Sequence, residues 1–319
     1  MRYPMKMTFS PKYRIWGGDR LAREYGKDCE IDRLGETWEL SVREDTVSLV
    51  ENGIFKGKSL ADAISAIGRD AVSATWDGVN FPLLIKLIDA RDDLSVQVHP
   101  DDAYAAEREN DLGKTEMWVV LAAEEGAKLV FGLADGYDRA SFAAAVQAGE
   151  IEKALSFRPV RAGDVFFIPS GMVHAIGAGI LLAEIQQNSD LTYRVYDYDR
   201  RQSDGTLRAL HVDQALDVVR PFTEEEIHAI RYEARDASDG ENTLAHCRYF
   251  CTKRLSPDDR ISLFAGEESF HAILCTEGEG SILFAGGEYP VKKGDCYFIP
   301  AKTGEYILAG ALEALLATV

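Results

Sequence analysis

Residues 163–176 read GDVFFIPSGMVHAI, and residues 294–308 read GDCYFIPAKTGEYIL. The two segments align without gaps through a G-D-x-x-F-I-P core. Each opens on a Gly-Asp turn and runs through a short apolar and aromatic stretch to a proline, as a strand entered by a tight turn does. Such a repeat implies two related β units in one chain. Around the first copy, ILLAEIQQ and LTYRVYDYD continue the pattern of short strands, with GAG as a turn. Around the second, FHAILCTEGEGSILF, GGEYPV and EYILAG do the same. Regular short strands with Gly-rich turns favour a sandwich or small barrel. The expected fold is mainly β, with two β-sandwich or barrel units and a few short helices.

Further out, Trp38, Leu40 and Val42 alternate with Glu39, Ser41 and Arg43, as in a half-buried strand. FPLLIKLIDA (81–90) is a continuous apolar strand broken by Lys86. A lysine there snorkels at a sheet edge or serves a pocket, and the edge is the expected place. TEMWVVLAAEEGAKLVFGL (115–133) reads as two strands joined at Glu124–Ala127. Helical spacing appears in 59–74, with Ser59 as N-cap, after Pro100, where Asp101 or Asp102 can cap, and in 140–155. Residues 200–240 form a polar connection in which Thr223 and Glu226 match a capping box. The expected division is 1–235, with added strands and helices, and 236–319.

The 319 residues suffice for two or more core-bearing units. No run of ~18 apolar residues suggests a membrane helix, and the N-terminus does not read as a signal peptide. A net charge of −18 argues against nucleic acid and anionic membranes as partners, while leaving room for a locally basic pocket. Five sparse cysteines suggest a reducing, cytoplasmic setting. Cys247 and Cys251 flank a run that alternates like one strand, which would hold them about 13 Å apart and unable to share an ion.

The residues with chemical potential cluster in LSVQVHPDDAYAAERENDLGKTE (94–116). Gln97 and His99 share a strand face, and Lys114 and Glu116 repeat the spacing at the next apolar run. With His174 from the first repeat they offer two imidazoles, a carboxylate and an amide, a set that suits zinc or another first-row divalent ion. On spacing alone, hydrogen-bonded core histidines are an equal alternative. In the second repeat Glu305 stands where the first has His174, so the C-terminal unit reads as a scaffold without its own metal. Glu184 and Arg194 are a candidate base and oxyanion holder, or a structural ion pair, the latter slightly favoured.

The segments QVHPDD (97–102), GKTE (113–116), GMVHAIGAG (171–179) and AEIQQNSDLTYRVYDYDR (183–200) resemble the type I phosphomannose isomerases, in particular the short bacterial branch of that cupin family. IWGGDRL, GETWELS, NGIFKGKSL and FPLLIKLIDA extend the resemblance over nearly the whole chain. It implies two cupin-like jelly-roll units. The activity it implies is a zinc-dependent aldose–ketose isomerisation of mannose 6-phosphate and fructose 6-phosphate through a cis-enediol. It further implies one zinc per chain on Gln97, His99, Glu116 and His174, with Arg194, Lys114 and Glu184 as catalytic residues. Glu184 is the expected base, with His99 or a water at the metal as alternatives. Lys114, Arg194 and Arg200 or Arg201 are candidates for the phosphate. The expected partner is a small sugar phosphate, and the expected state a monomer or weak homodimer. The rivals are an isomerase of another sugar or sugar phosphate and a noncatalytic metal- or sugar-binding cupin.

Overall fold

A computed structural model describes residues 1–43, 46–202, 204–235, 240, 242–257 and 259–319. The expected boundary at 235/236 abuts residues 236–239, outside the described ones. The chain is mainly β, with six α-helices among the described residues.

Three sheets carry the architecture. A six-stranded antiparallel sheet runs in the order Val165–Ile168, Glu116–Ala123, Ile180–Gln187, Leu83–Ala90, Ser10–Gly18, Leu34–Leu40, with Leu83–Ala90 also pairing to Leu34–Leu40. A five-stranded sheet runs Leu155–Pro159, Lys128–Leu133, His174–Ala175, Val96–Val98, Tyr193–Tyr196. An eight-stranded sheet is built on the long strands His271–Phe284 and Gly304–Thr318, and Met5–Met7 joins it by pairing with Cys296–Ile299.

The two-residue period explains the layering. On the five-stranded sheet Val96, Val98, Ala175, Tyr193 and Val195, with Val173 just before the strand His174–Ala175, pack outward in one core with Phe142 of helix Arg139–Gln147 and Ala215 of helix Val212–Val218. The intervening Gln97, His174 and Arg194 therefore point the other way, toward the six-stranded sheet. That sheet is covered on both faces: every residue of Leu83–Ala90 and Ile180–Gln187 is buried. Its Ile85, Leu87, Met117, Ala183 and Ile185 share a core with Phe298 and Leu315 of the eight-stranded sheet and with Phe270 just before its strand His271–Phe284. A strand buried on both faces needs a near-continuous apolar sequence, which accounts for FPLLIKLIDA.

The repeat is a structural one as well. Gly163 and Gly294 adopt φ of 92° and 90°, a left-handed conformation that side chains disfavour. In each copy the following aspartate accepts from the backbone N–H three residues earlier: Asp164 from Arg161 at 2.9 Å and Asp295 from Lys292 at 3.1 Å. The strands Val165–Ile168 and Cys296–Ile299 follow.

Several local readings change. The segment 59–74 is a helix only over Leu60–Ile67, because Gly68 turns to φ 114° before a short 3-10 turn. Residues 140–155 likewise divide into Arg139–Gln147 and a 3-10 turn at Ile151–Ala154. The capping box at Thr223 and Glu226 is present, and Asp101 caps Asp102–Arg108. The run holding Cys247 and Cys251 is a hairpin, not one strand: His246 pairs with Cys251.

Lys86 is not at an edge. It lies mid-strand between two neighbours, 3% exposed, facing Glu184 on one side and Trp38 on the other. Its ammonium is tolerated there because charged partners meet it.

Candidate metal centre and substrate cleft

His99, Glu116 and His174 converge between the five- and six-stranded sheets, with donor atoms within 4.8 Å of one another. It is the single such group of three or more His, Cys, Asp or Glu residues among the described residues. All three are buried. His99 Nδ1 lies 2.7 Å from the Leu191 carbonyl and His174 Nδ1 lies 2.8 Å from that of Met172. A carbonyl only accepts, so each Nδ1 carries the proton and each Nε2 presents a lone pair inward. The two Nε2 atoms are 3.1 Å apart, and they lie 3.5 and 3.4 Å from the Glu116 carboxylate oxygens.

Burial, with the Lys114 ammonium beside it, pushes His99 down to about 3, and burial also lowers His174. Both rings are therefore neutral at pH 7, the form that ligates metals. Glu116 is fully buried, but the Lys114 ammonium beside it outweighs that burial and holds it well below the usual carboxylate range. Among the described residues, neither Glu116 oxygen accepts a hydrogen bond, although Lys114 Nζ pairs with Oε2 as a charge at 2.9 Å. A buried carboxylate with both oxygens unbonded beside two bare imidazole nitrogens fits a divalent cation. Gln97 reaches the group through its amide, with Nε2 3.3 Å from His174 Nε2. Exchange of its oxygen and nitrogen is one rotation about χ3.

Beside this group opens a cleft of about 440 Å³. Gln97, Lys114, Glu184 and Arg194 line it, together with Lys86, Arg14, Glu36, Asp190 and Arg208. Five cations and three carboxylates face the cleft, so it is locally basic on a protein of net charge −18. Focused fields of that kind draw anions.

Glu184 does not pair with Arg194. Its Oε1 accepts from Trp118 Nε1 at 2.9 Å, and its Oε2 lies 3.0 Å from Lys86 Nζ. Burial and then the Glu116 charge raise its proton affinity, while Lys86 works against both. Arg194 donates to Ser95 Oγ at 3.2 Å and to the Ala209 carbonyl at 2.9 Å. Burial and the nearby Arg208 lower its pKa from the ordinary arginine value.

Of the other phosphate candidates, Arg200 turns to the Asp197 carboxylate and Arg201 to the Gly205 carbonyl, and neither lines the cleft. Arg14, Lys86 and Arg208 do; sequence reasoning missed Arg14 and Arg208, and gave a pocket for Lys86 only as the less expected alternative to a sheet edge. Arg14 is held bidentate by Glu36 at 2.7 and 3.1 Å, and Arg208 Nε by Asp197 at 2.7 Å. The only signal for Lys86 was a lysine inside an apolar strand. In the second repeat Glu305 is exposed.

Two β units and a converging donor set of this kind place the chain among cupin-fold proteins with a candidate metal centre. Residues 5–124 match the catalytic domain of type I phosphomannose isomerases, and residues 240–319 match the mannose-6-phosphate isomerase cupin domain. Mannose-6-phosphate isomerase ManA of Bacillus subtilis is 38% identical over 313 residues, covering 97% of this chain and 98% of the relative. Mannose-6-phosphate isomerase of Streptococcus mutans is 45% identical over 219 residues, 69% and 68% of the two chains. The crystal structure of the Bacillus subtilis mannose 6-phosphate isomerase superimposes with a TM-score of 0.88 at 31% identity, covering 99% of both chains. The chain belongs to the type I phosphomannose isomerase family of enzymes. No helix among the described residues is long and apolar enough to cross a membrane.

Proposed function

We propose that this protein interconverts D-mannose 6-phosphate and D-fructose 6-phosphate through a cis-enediol, with one zinc ion per chain on His99, Glu116, His174 and Gln97. The observation that carries the reading is the meeting of two imidazole lone pairs and an unbonded buried carboxylate beside a net-cationic cleft. The relatives named mannose-6-phosphate isomerases support the substrate. Moving a carbonyl between C1 and C2 requires a proton to leave one carbon and return to its neighbour, and a hydroxyl proton to pass from one oxygen to the other, while negative charge builds on oxygen. Zinc, when bound, supplies positive charge that stabilises that oxygen.

The chain's own groups supply the rest. Glu184 takes the proton from one carbon and returns it to the next. Burial strengthens it as a base, and Lys86 keeps it ionised. Lys114 and Arg194 offset the charge of the enediolate. Arg194 and Arg208 face the same cleft and suit the phosphate, a doubly charged acceptor matched to guanidinium forks. Residues 1–235 form the catalytic unit in this reading, and 236–319 support it without a metal of their own. The sparse cysteines favour a cytoplasmic setting. A coupled assay that converts fructose 6-phosphate onward, run on mannose 6-phosphate, tests the reading. Steady turnover is expected, and its absence from zinc-loaded protein would overturn the assignment.

A further inference from the structure

The segment matching the cupin domain contributes no converging donor group among the described residues, yet one of its side chains reaches Asp102, at the start of the helix in the connection that leads to Lys114 and Glu116. Tyr249 lies on the turn between Thr243–His246 and Cys251–Leu255. That turn is closed by Cys247 N–H donating to the Phe250 carbonyl at 3.0 Å. It is anchored by Phe250, which is buried with its ring 6.3 Å from that of Phe167. From this fixed base the Tyr249 hydroxyl donates to Asp102 Oδ2 at 2.9 Å.

The other oxygen of Asp102 accepts from Gly113 N–H at 3.0 Å and from Gln187 Nε2 at 2.9 Å. Gln187 Oε1 in turn accepts from Thr115 N–H at 2.9 Å. Asp102 and Gln187 thus grip the backbone on both sides of Lys114, whose own N–H donates to the carbonyl of Pro100, next to His99. The approach is close: a Cβ at Gly113 would stand 2.4 Å from the Asp102 nitrogen, so only glycine fits. The side chain of Asp102 is 38% exposed. The tyrosine hydroxyl holds its Oδ2, whose other neighbour is Arg248 Nη2 at 3.9 Å, so without that donor the carboxylate is fixed by its Oδ1 alone and can tilt toward water or Arg248.

We infer that Tyr249 is a positioning residue: through Asp102 and Gln187 it sets where residues 113–116 place Lys114 and Glu116. The inference rests on the proposed isomerase reading for its rate readout, but not for its binding readout. It assigns the second β unit a task in the reaction, bracing the loop between two strands of the first.

The test is Tyr249→Phe, which keeps the ring and removes one donor, compared with Asp102→Asn and the double variant. Zinc affinity, read by competition with a chromophoric chelator, should weaken about fivefold, the scale of one hydrogen bond. The kcat on mannose 6-phosphate should fall by a similar factor with KM little changed, and amide exchange at Gly113 and Thr115 should quicken. Adding Tyr249→Phe to Asp102→Asn should cost nothing more, because both act through one carboxylate. Wild-type zinc affinity and exchange in Tyr249→Phe, or losses that multiply in the double variant, would overturn the inference. Weakened zinc binding and faster exchange in a protein that does not isomerise mannose 6-phosphate would uphold the brace and overturn the proposed function instead.

Discussion

The Nε2 atoms of His99 and His174 stand 3.1 Å apart, although each ring has already placed its Nδ1 against a backbone carbonyl. Two lone pairs therefore meet in a buried space, with an anionic carboxylate as the third wall. A proton is a poor bridge at pH 7, because burial depresses both imidazoles. A divalent cation can share all three donors, and the carbonyls at Leu191 and Met172 serve to hold the rings in the ligating tautomer.

Lys86 and Glu184 form a buried pair that should not survive removal of the cation. Lys86→Met leaves Glu184 without its counter-charge, so the carboxyl takes up a proton at higher pH. The acid limb of the kcat–pH profile should move upward and turnover at pH 7 should fall at least about tenfold. An unmoved acid limb would remove Glu184 as the base or Lys86 as its partner.

Arg194 touches no member of the donor group in the hydrogen bonds it makes. Arg194→Ala should therefore lower turnover by about 10²-fold or more while zinc content stays at one per chain. Parallel metal analysis and kinetics separate the two. Wild-type rates would end its catalytic role.

Arg208 shares Asp197 with Arg200, so its removal leaves that carboxylate paired and the fold little disturbed. Arg208→Ala should raise KM for mannose 6-phosphate about tenfold, the loss of one charge-assisted contact to phosphate. Inhibition by inorganic phosphate should weaken in step. If KM and phosphate inhibition are both unchanged, the phosphate sits elsewhere in the cleft.

Glu36, which lines the cleft without belonging to the donor group, supplies a pH dependence of its own. Its burial favours the neutral acid, but Arg14, Lys86 and hydrogen bonds from Arg14 and Trp38 outweigh that and lower it to about 2. Between about pH 4.5 and 2 the unfolded chain then binds more protons at this position than the folded one. The stabilisation is whole above that window and is lost as pH falls through it, on the order of 3 kcal/mol. Glu36→Gln should be less stable at pH 7 and lose less on acidification, as urea midpoints at several pH values would show. Parallel pH curves for the two proteins would contradict this.

Much of the fold was legible because strand alternation and a repeated turn are local. The Gly-Asp turns before Val165 and Cys296 recur in sequence and in backbone conformation alike. Gln97, His99, Glu116 and His174 could be nominated for the same reason, since the two-residue period says which side chains share a face. Depth and partnership were less legible. Lys86 reads as an edge residue until the topology sets it between Glu184 and Trp38. Glu184 and Arg194 read as a pair until that lysine claims the carboxylate. Arg14 and Arg208 carry no motif and enter the cleft only through tertiary placement. The Cys247–Cys251 run alternates like a strand, yet its RYF turn folds it into a hairpin.

The most direct test measures zinc and isomerisation on the same sample. The protein should contain one zinc per chain, lose turnover of mannose 6-phosphate when a chelator strips it, and recover both together as zinc is returned. Full turnover by metal-free protein would contradict the account at its centre.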